Sequence, residues 1–170
     1  NSTPLIYLTR VSLTQLLIQI HVENITTSKV FQETVIQGKK KGAPEASLLE
    51  GLFKKKVISI YELKDKKFVK TLIKIAADLE QQPLHEAEAE VLAVANEVNG
   101  IAIIDDKAAR SVAVLFGMES RGTGYILGKI HLNSKIGKEE LIHKIREMRE
   151  AGWYISAEDY LDILKYIEAL

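Results

Sequence analysis

The sequence predicts an α/β fold, one domain whose central parallel sheet is covered by helices on both faces. Three observations predict it. Short apolar runs, Val57-Ile58-Ser59-Ile60-Tyr61 and Ile101-Ala102-Ile103-Ile104, alternate with longer stretches whose apolar residues recur at helical spacing. The Ile101 run has no polar alternation, as expected of a strand buried on both faces. With 170 residues and 46% hydrophobic content, the chain can build one well-buried core and needs no second domain.

Each element has its own signal. Thr3 caps and Pro4 opens a first helix carrying Leu5, Ile6, Leu8, Leu13, Leu16 and Leu17. Asn24 to Thr27 reads as a weak strand, Lys29 to Gln37 as a short helix ended by Gly38, and Pro44 to Phe53 as another helix. After the Val57 strand come helices over Phe68 to Leu79 and Leu84 to Val98. Asn99-Gly100 stops the second, and the Ile101 strand then leads into a helix over Lys107 to Phe116. Gly122-Thr123-Gly124 turns a further short strand into a helix, with Gly128 in the next turn. Helices over Lys138 to Glu150 and Ala157 to Ile167 close the chain. Gly152 stops the first of these, and Ser156 with Asp159 has the spacing of a cap followed by an acid in the first turn.

Composition excludes several classes of function. The 23 basic and 23 acidic residues balance, so no global field favours nucleic acid and any basic surface is local. There is no cysteine, which removes disulfides, zinc-thiolate sites and cysteine nucleophiles together and suits a reducing cytosol. No apolar run approaches the ~18 residues of a membrane span, and the first residues lack a signal peptide's pattern, so a soluble cytoplasmic protein without a membrane partner is expected. Asn1-Ser2-Thr3 and Asn24-Ile25-Thr26 match the glycosylation triplet, a chance match in a chain without a secretion signal. Gly122-Thr123-Gly124 lacks the spacing of a nucleotide phosphate loop.

The segment Leu84-His85-Glu86-Ala87-Glu88-Ala89-Glu90-Val91-Leu92-Ala93, with Asp105-Asp106 after the Ile101 strand, carries the functional signal. At about 100° per residue, Leu84, Ala87, Val91, Leu92, Ala95 and Val98 share one face, and Glu88 falls within it while Glu86, Glu90 and Glu97 lie opposite. Asp105 and Asp106 sit at the carboxyl end of a buried strand, where the functional crevice of open α/β sheets lies. The opening Asn1 to Ile6 would sit there too if a strand preceded it. Acids in such places need compensation, and a divalent metal is the usual source. The structural alternatives are an N-cap for either aspartate and a boundary position for Glu88.

Other groups are weaker candidates. Lys39-Lys40-Lys41, Lys54-Lys55-Lys56 and Lys64 with Lys66-Lys67 would suit an RNA backbone or simply be solvated loop charge. No aromatic residues interleave with them as in a stacking platform. His21, His85, His131 and His143 show no paired metal spacing.

In order along the chain, NSTPLI, VFQE, LHEAEAEVLAVA, IAIIDDKAAR and GTGYIL resemble the PIN-domain proteins, in particular a prokaryotic PIN-like branch, from Asn1 to about Leu164. The resemblance implies a single PIN-like domain over 1–170, with 137–170 a C-terminal helical extension packed on it. It implies an endoribonuclease that gathers acids around Mg²⁺ or Mn²⁺, or the toxin of a toxin-antitoxin pair, with RNA as substrate and a small antitoxin or a second copy as partner. Carried over by position, the family's acids fall on Asn1, Glu33, Glu88 and Asp106, with Asp105 beside the last. Glu88 and Asp106 are then the direct ligands, and Asp105 and Glu33 act directly or through water.

Asn1 departs from the pattern, because an amide ligates through oxygen but brings no charge. Ala87 stands where related sequences tend to have glycine. Ser2 and Thr3 would orient a substrate phosphate or act as caps, and Arg110 would touch phosphate or pair with a carboxylate. The alternative function is a weakened or inactive PIN-like module that binds RNA or a protein partner.

Overall fold

The computed structural model describes residues 1–80 and 84–170. Helix α1 (Ser2–Arg10) begins two residues before Pro4, and its cap is Asn1 rather than Thr3: the Asn1 Oδ1 accepts from the Ser2 N–H at 2.6 Å. Asparagine caps as well as threonine does, and a proline within the first turn loses no helical hydrogen bond. The long first helix expected from the leucine spacing is broken at Ser12, which takes a φ of 61°, and a 3₁₀ helix (Thr14–Ile20) carries Leu16 and Leu17.

Strand β1 (Ile25–Thr26) leads into α2 (Ser28–Phe31), capped by the Thr27 Oγ1, which accepts from the Val30 N–H at 3.3 Å. This helix runs on through a π-helical stretch (Gln32–Gln37) into a last turn (Gly38–Lys40). Gly38 therefore does not stop the helix. Its φ is −55°, and a Cβ there would lie 3.0 Å from the Ala46 Cβ, so close packing is what requires the glycine. Gly42, with φ at 70°, makes the turn instead.

The remaining elements are α3 (Glu45–Lys54), β2 (Ser59–Ile60), α4 (Lys66–Glu80), α5 (Glu86–Glu97), β3 (Ala102–Ile103), α6 (Lys107–Leu115), β4 (Ser120–Arg121), α7 (Thr123–Asn133), α8 (Lys138–Glu150) and α9 (Ala157–Ala169). No helix among the described residues is long and apolar enough to cross a membrane.

The strands are parallel, as expected, but they form two separate two-stranded sheets rather than one central sheet. Ile25 and Thr26 of β1 face Ser59 and Ile60 of β2, and Ala102 and Ile103 of β3 face Ser120 and Arg121 of β4. With no strand between β1 and β3 among the described residues, the Ile101 run is not buried on both sides. Ile104 is buried, whereas Ile101 is exposed.

The core divides in the same way. One cluster joins α1, the 3₁₀ helix and α7 to α8 and α9 through Leu8, Leu17, Leu127, Ile145, Met148 and Ile167. The other joins α4, α5, α6 and β3 through Leu72, Leu92, Ala102, Ile104 and Val112. Helix α5 is buried over more of its circumference than the periodicity suggested, since Ala89, Ala93 and Val94 are buried beside Leu92 and Ala95. Small residues let the neighbouring helices approach on that side.

Gly128 lies inside α7, not in a turn. It and Gly124 form a stripe against α9, where added Cβ atoms would come within 2.5 Å of Tyr166 and 2.7 Å of Ile163. Between α1 and α3, the buried Glu45 carboxylate accepts from Arg10 Nη2 at 2.9 Å.

Two stability outcomes follow from the way α9 is held. Gly124→Ala lowers stability by about 1–2 kcal/mol because Ile163 is β-branched and stiff. Gly128→Ala stays near neutral because the tip of Tyr166 can swing outward, and urea denaturation distinguishes the two. The Ser156 Oγ accepts from the Asp159 N–H at 3.1 Å and donates to its Oδ2 at 2.6 Å. This hydroxyl holds the Asp159 carboxyl below its ordinary range, with Lys107 and Arg110 helping against partial burial. Ser156→Ala therefore costs about 1 kcal/mol at neutral pH. The contribution from Asp159 is present above the carboxyl's unfolded pKa and fades as pH falls through its depressed folded value, so the variant loses less stability on acidification than the parent.

Candidate functional site

The site is built where four chain segments end or begin. Strand β1 passes through Thr27 into α2, whose π-helical stretch carries Glu33. Strand β3 ends at Asp105 and Asp106, and α5 brings Glu88 in its first turn. Helix α1 starts between them at Asn1. A π-helical turn widens the backbone and redirects a side chain, an irregularity often found at functional positions.

These carboxylates converge on Asn1. Asp105, Glu88 and Glu33 are, in that order, the acids acting most strongly at its backbone nitrogen. Burial raises Glu88 above the ordinary carboxylate range, as does neighbouring Asp106; the His85 N–H, donating to Glu88 Oε2 at 3.3 Å, pulls the other way. A cavity of about 340 Å³ opens beside these groups, lined by Asn1, Ser2, Thr3, Glu33, His85 and Glu88 among others. On its rim, Lys29 is paired with Glu86 at 2.7 Å. Among the described residues, no basic side chain lies within ion-pair distance of Glu33, Glu88, Asp105 or Asp106.

The two adjacent aspartates have different tasks. Asp106 is exposed and caps α6, its Oδ1 accepting from the Ala109 N–H at 2.8 Å, while its Oδ2 bonds to no described residue. The Asp105 carboxylate is held on both oxygens. Oδ1 accepts from the Thr123 N–H at 2.7 Å, and Oδ2 accepts from the Thr123 hydroxyl at 2.7 Å and the Trp153 Nε1–H at 3.1 Å. Gly122 leaves room for this arrangement, since a Cβ there would stand 3.2 Å from Asp105 Oδ1.

Several other candidates are committed to structural bonds. Ser2 donates its hydroxyl to Glu33 Oε2 at 2.6 Å. Arg110 forms no carboxylate pair among the described residues; its Nη1 donates to the carbonyls of Ile104 and Asp105 at 3.2 and 3.0 Å. Lys39 and Lys54 are both paired with Glu50. Thr123, Trp153 and Gly122 are the participants that sequence reasoning missed. Gly122-Thr123 was legible as a turn, but nothing local connects it to Asp105, and the single tryptophan reads as an ordinary core residue.

Oxygen donors without thiolates or paired imidazoles suit a hard cation such as Mg²⁺ or Mn²⁺. Among the described residues, however, no three histidine, aspartate or glutamate side chains come together closely enough to hold an ion. The fit is therefore to an ion that keeps most of its water, not to one enclosed by protein.

Parallel strands flanked by helices, with acids gathered at the strand ends, define the α/β class to which this chain belongs. A family model described as a PIN domain, DUF3368, matches residues 1–169, and the chain belongs to the PIN-domain family. No curated protein and no solved structure matches the chain.

The different bonding of the two aspartates separates their effects on stability. Asp105→Asn places an amide donor against donors and costs about 1–3 kcal/mol. Asp106→Asn keeps a good cap and changes stability by less than ~0.5 kcal/mol. Chemical denaturation of the two variants checks both values.

Proposed function

We propose that the acid-lined crevice hydrolyses RNA phosphodiester bonds with Mg²⁺ or Mn²⁺, as part of a single cytoplasmic PIN-like domain over 1–170. One observation carries this reading: Glu33 and Glu88 line one cavity with Asn1, Asp105 acts electrostatically on Asn1 and Asp106 on Glu88, and among the described residues no basic side chain lies within ion-pair distance of the four acids. Such a group of acids favours a cation or a proton.

Glu88 and the unpaired Oδ2 of Asp106 are the proposed direct ligands, with Glu33 and the Asn1 oxygen acting directly or through water. A bound divalent ion supplies Lewis acidity toward a phosphoryl oxygen and lowers the pKa of a bound water. Asp105 is better described as a positioning residue, because its bonds to Thr123 and Trp153 fix the strand end from which Asp106 projects. Ser2 holds Glu33 in place, and Thr3 and Lys29 line the side of the cavity from which a phosphate would enter. A toxin role with a small antitoxin, and self-association, are partner relations that the family resemblance suggests.

The second reading is a PIN-like module with weakened or lost chemistry, binding RNA or a protein. It is favoured by the neutral amide at Asn1 and by the absence of a three-ligand group among the described residues.

Labelled single-stranded and structured RNA, incubated with Mn²⁺ or Mg²⁺, separates the readings. Metal-dependent cleavage is expected, and Asp106→Asn, which keeps the fold, reduces it by at least ~100-fold. In parallel, saturating Mn²⁺ at about 100 times its dissociation constant stabilises the protein by ~2.7 kcal/mol, and Glu88→Gln removes most of that gain. Metal stabilisation without cleavage of any RNA favours the second reading. Neither effect overturns both assignments of the crevice.

A further inference from the structure

Two lysine runs that lie apart in sequence come together in the fold. Lys39-Lys40-Lys41 ends the helix begun by α2, and Lys54-Lys55-Lys56 ends α3. The two helices fold back on each other around the turn at Gly42. Gly38 packs on Ala46 near that turn, and Phe31 meets Phe53 edge-on at the far end, with ring centroids 4.9 Å apart. Glu50 bridges the runs, its Oε2 pairing with Lys39 Nζ at 2.9 Å and with Lys54 Nζ at 3.1 Å. These two ammonium groups hold the Glu50 carboxyl below its ordinary range.

One carboxylate does not balance six lysines. All six are exposed, and among the described residues Lys40, Lys41, Lys55 and Lys56 make no ion pair. A helix C-terminus favours a cation in its last turn, which accounts for Lys39 or Lys54 but not for the runs that follow them. Gathered like charges create a local field that attracts a polyanion, and the released counterions favour its binding. The helix rises on the order of 10 Å from Phe31 to Gly38, about the span of three phosphates on one strand. Phe31 and Phe53 pack on each other rather than forming a platform for bases, so this surface works through charge.

We infer that the hairpin of α2 and α3 binds the backbone of an RNA strand through Lys39, Lys40, Lys41, Lys54, Lys55 and Lys56, outside the acid-lined crevice and without regard to base sequence. This rests on the reading of the crevice as an RNA site. One continuous helix carries Lys29 and Glu33 at the crevice and Lys39 and Lys40 in its last turn, and so connects the two places. The crevice acids repel phosphate until a cation arrives, whereas the lysines attract it without metal.

The test measures binding of a labelled single-stranded RNA of about 12 nucleotides by fluorescence anisotropy, in EDTA, from about 50 to 200 mM salt. Three full chains are compared: the parent, one with Lys40→Gln, Lys41→Gln, Lys55→Gln and Lys56→Gln together, and one with Lys64→Gln, Lys66→Gln, Lys67→Gln and Lys70→Gln together. The second set removes the same charge from lysines that are also exposed and make no ion pair among the described residues. The hairpin variant binds at least ~10-fold more weakly at the lowest salt, and its slope of log affinity against log salt flattens by about 2 to 3. The other variant stays within about 2-fold of the parent. Unchanged binding by the hairpin variant, or equal losses in both variants, overturns the inference. Polyglutamate that displaces the RNA as well as unlabelled RNA does assigns the surface to an acidic peptide and overturns the RNA assignment. Metal-dependent cleavage by the parent, with unchanged binding by the hairpin variant, rejects this inference alone. Absence of RNA binding by the parent rejects it together with the RNA reading of the crevice.

Discussion

Asp105 accepts from the backbone and hydroxyl of Thr123 and from the indole of Trp153, and these three bonds link the two hydrophobic cores. Asp105 follows Ile104, which belongs to the core under α4, α5 and α6, whereas Trp153 belongs to the core of α1, α7, α8 and α9. Hydrogen bonds to a charged group contribute about 1.5–3 kcal/mol each, enough for one side chain to fix the relation between two layers. Arg110 reinforces the same corner by bonding the carbonyls of Ile104 and Asp105, so the strand end is held through both backbone and side chain.

That rigidity gives the neighbouring residues their freedom. Because Asp105 bears the structural bonds, Asp106 has only a cap to satisfy, and its second oxygen has no hydrogen-bond partner among the described residues. The same division appears at Glu33, where Ser2 restrains one oxygen, and in α5, where Glu86 pairs with Lys29 while Glu88, two positions on, has no basic side chain within ion-pair distance among the described residues. At each wall, one polar group fixes the element beside the carboxylate that faces the crevice.

Much of this was legible in the sequence where a local rule decided the matter. The parallel strands, the burial of Ala87, Leu92 and Ala95 on α5 (though not of Val98, which is exposed), the cap at Ser156 and the stop at Gly152 depend on spacing and on residues close in sequence. The errors came where two residues satisfy the same local rule. Asn1 and Thr3 are both residues that suit a cap, and Gly38 and Gly42 are both residues that suit a helix end; Asn1 is the cap, Gly42 makes the turn, and Gly38 packs against Ala46 within the helix. Asp105 and Asp106 are chemically identical, and their roles diverge through partners 18 and 48 residues away. The single expected sheet became two because pattern reveals which segments are strands, but not whether a strand stands between them.

Helix α1 has a bearing on the order in which the protein takes shape. Tyr7 donates its hydroxyl to the Gly152 carbonyl at 2.9 Å, and Arg10 donates to the Ala151 carbonyl at 2.8 Å, contacts that span 145 and 141 positions. On the ribosome α1 emerges long before α8 exists, so its final hydrogen bonds wait until nearly all of the 170 residues have been made. The core of α4, α5 and α6, formed by segments closer in sequence, can consolidate first. The crevice beside Asn1 closes only when the last helices lock α1 in place, which makes the site one of the latest features of the fold to form.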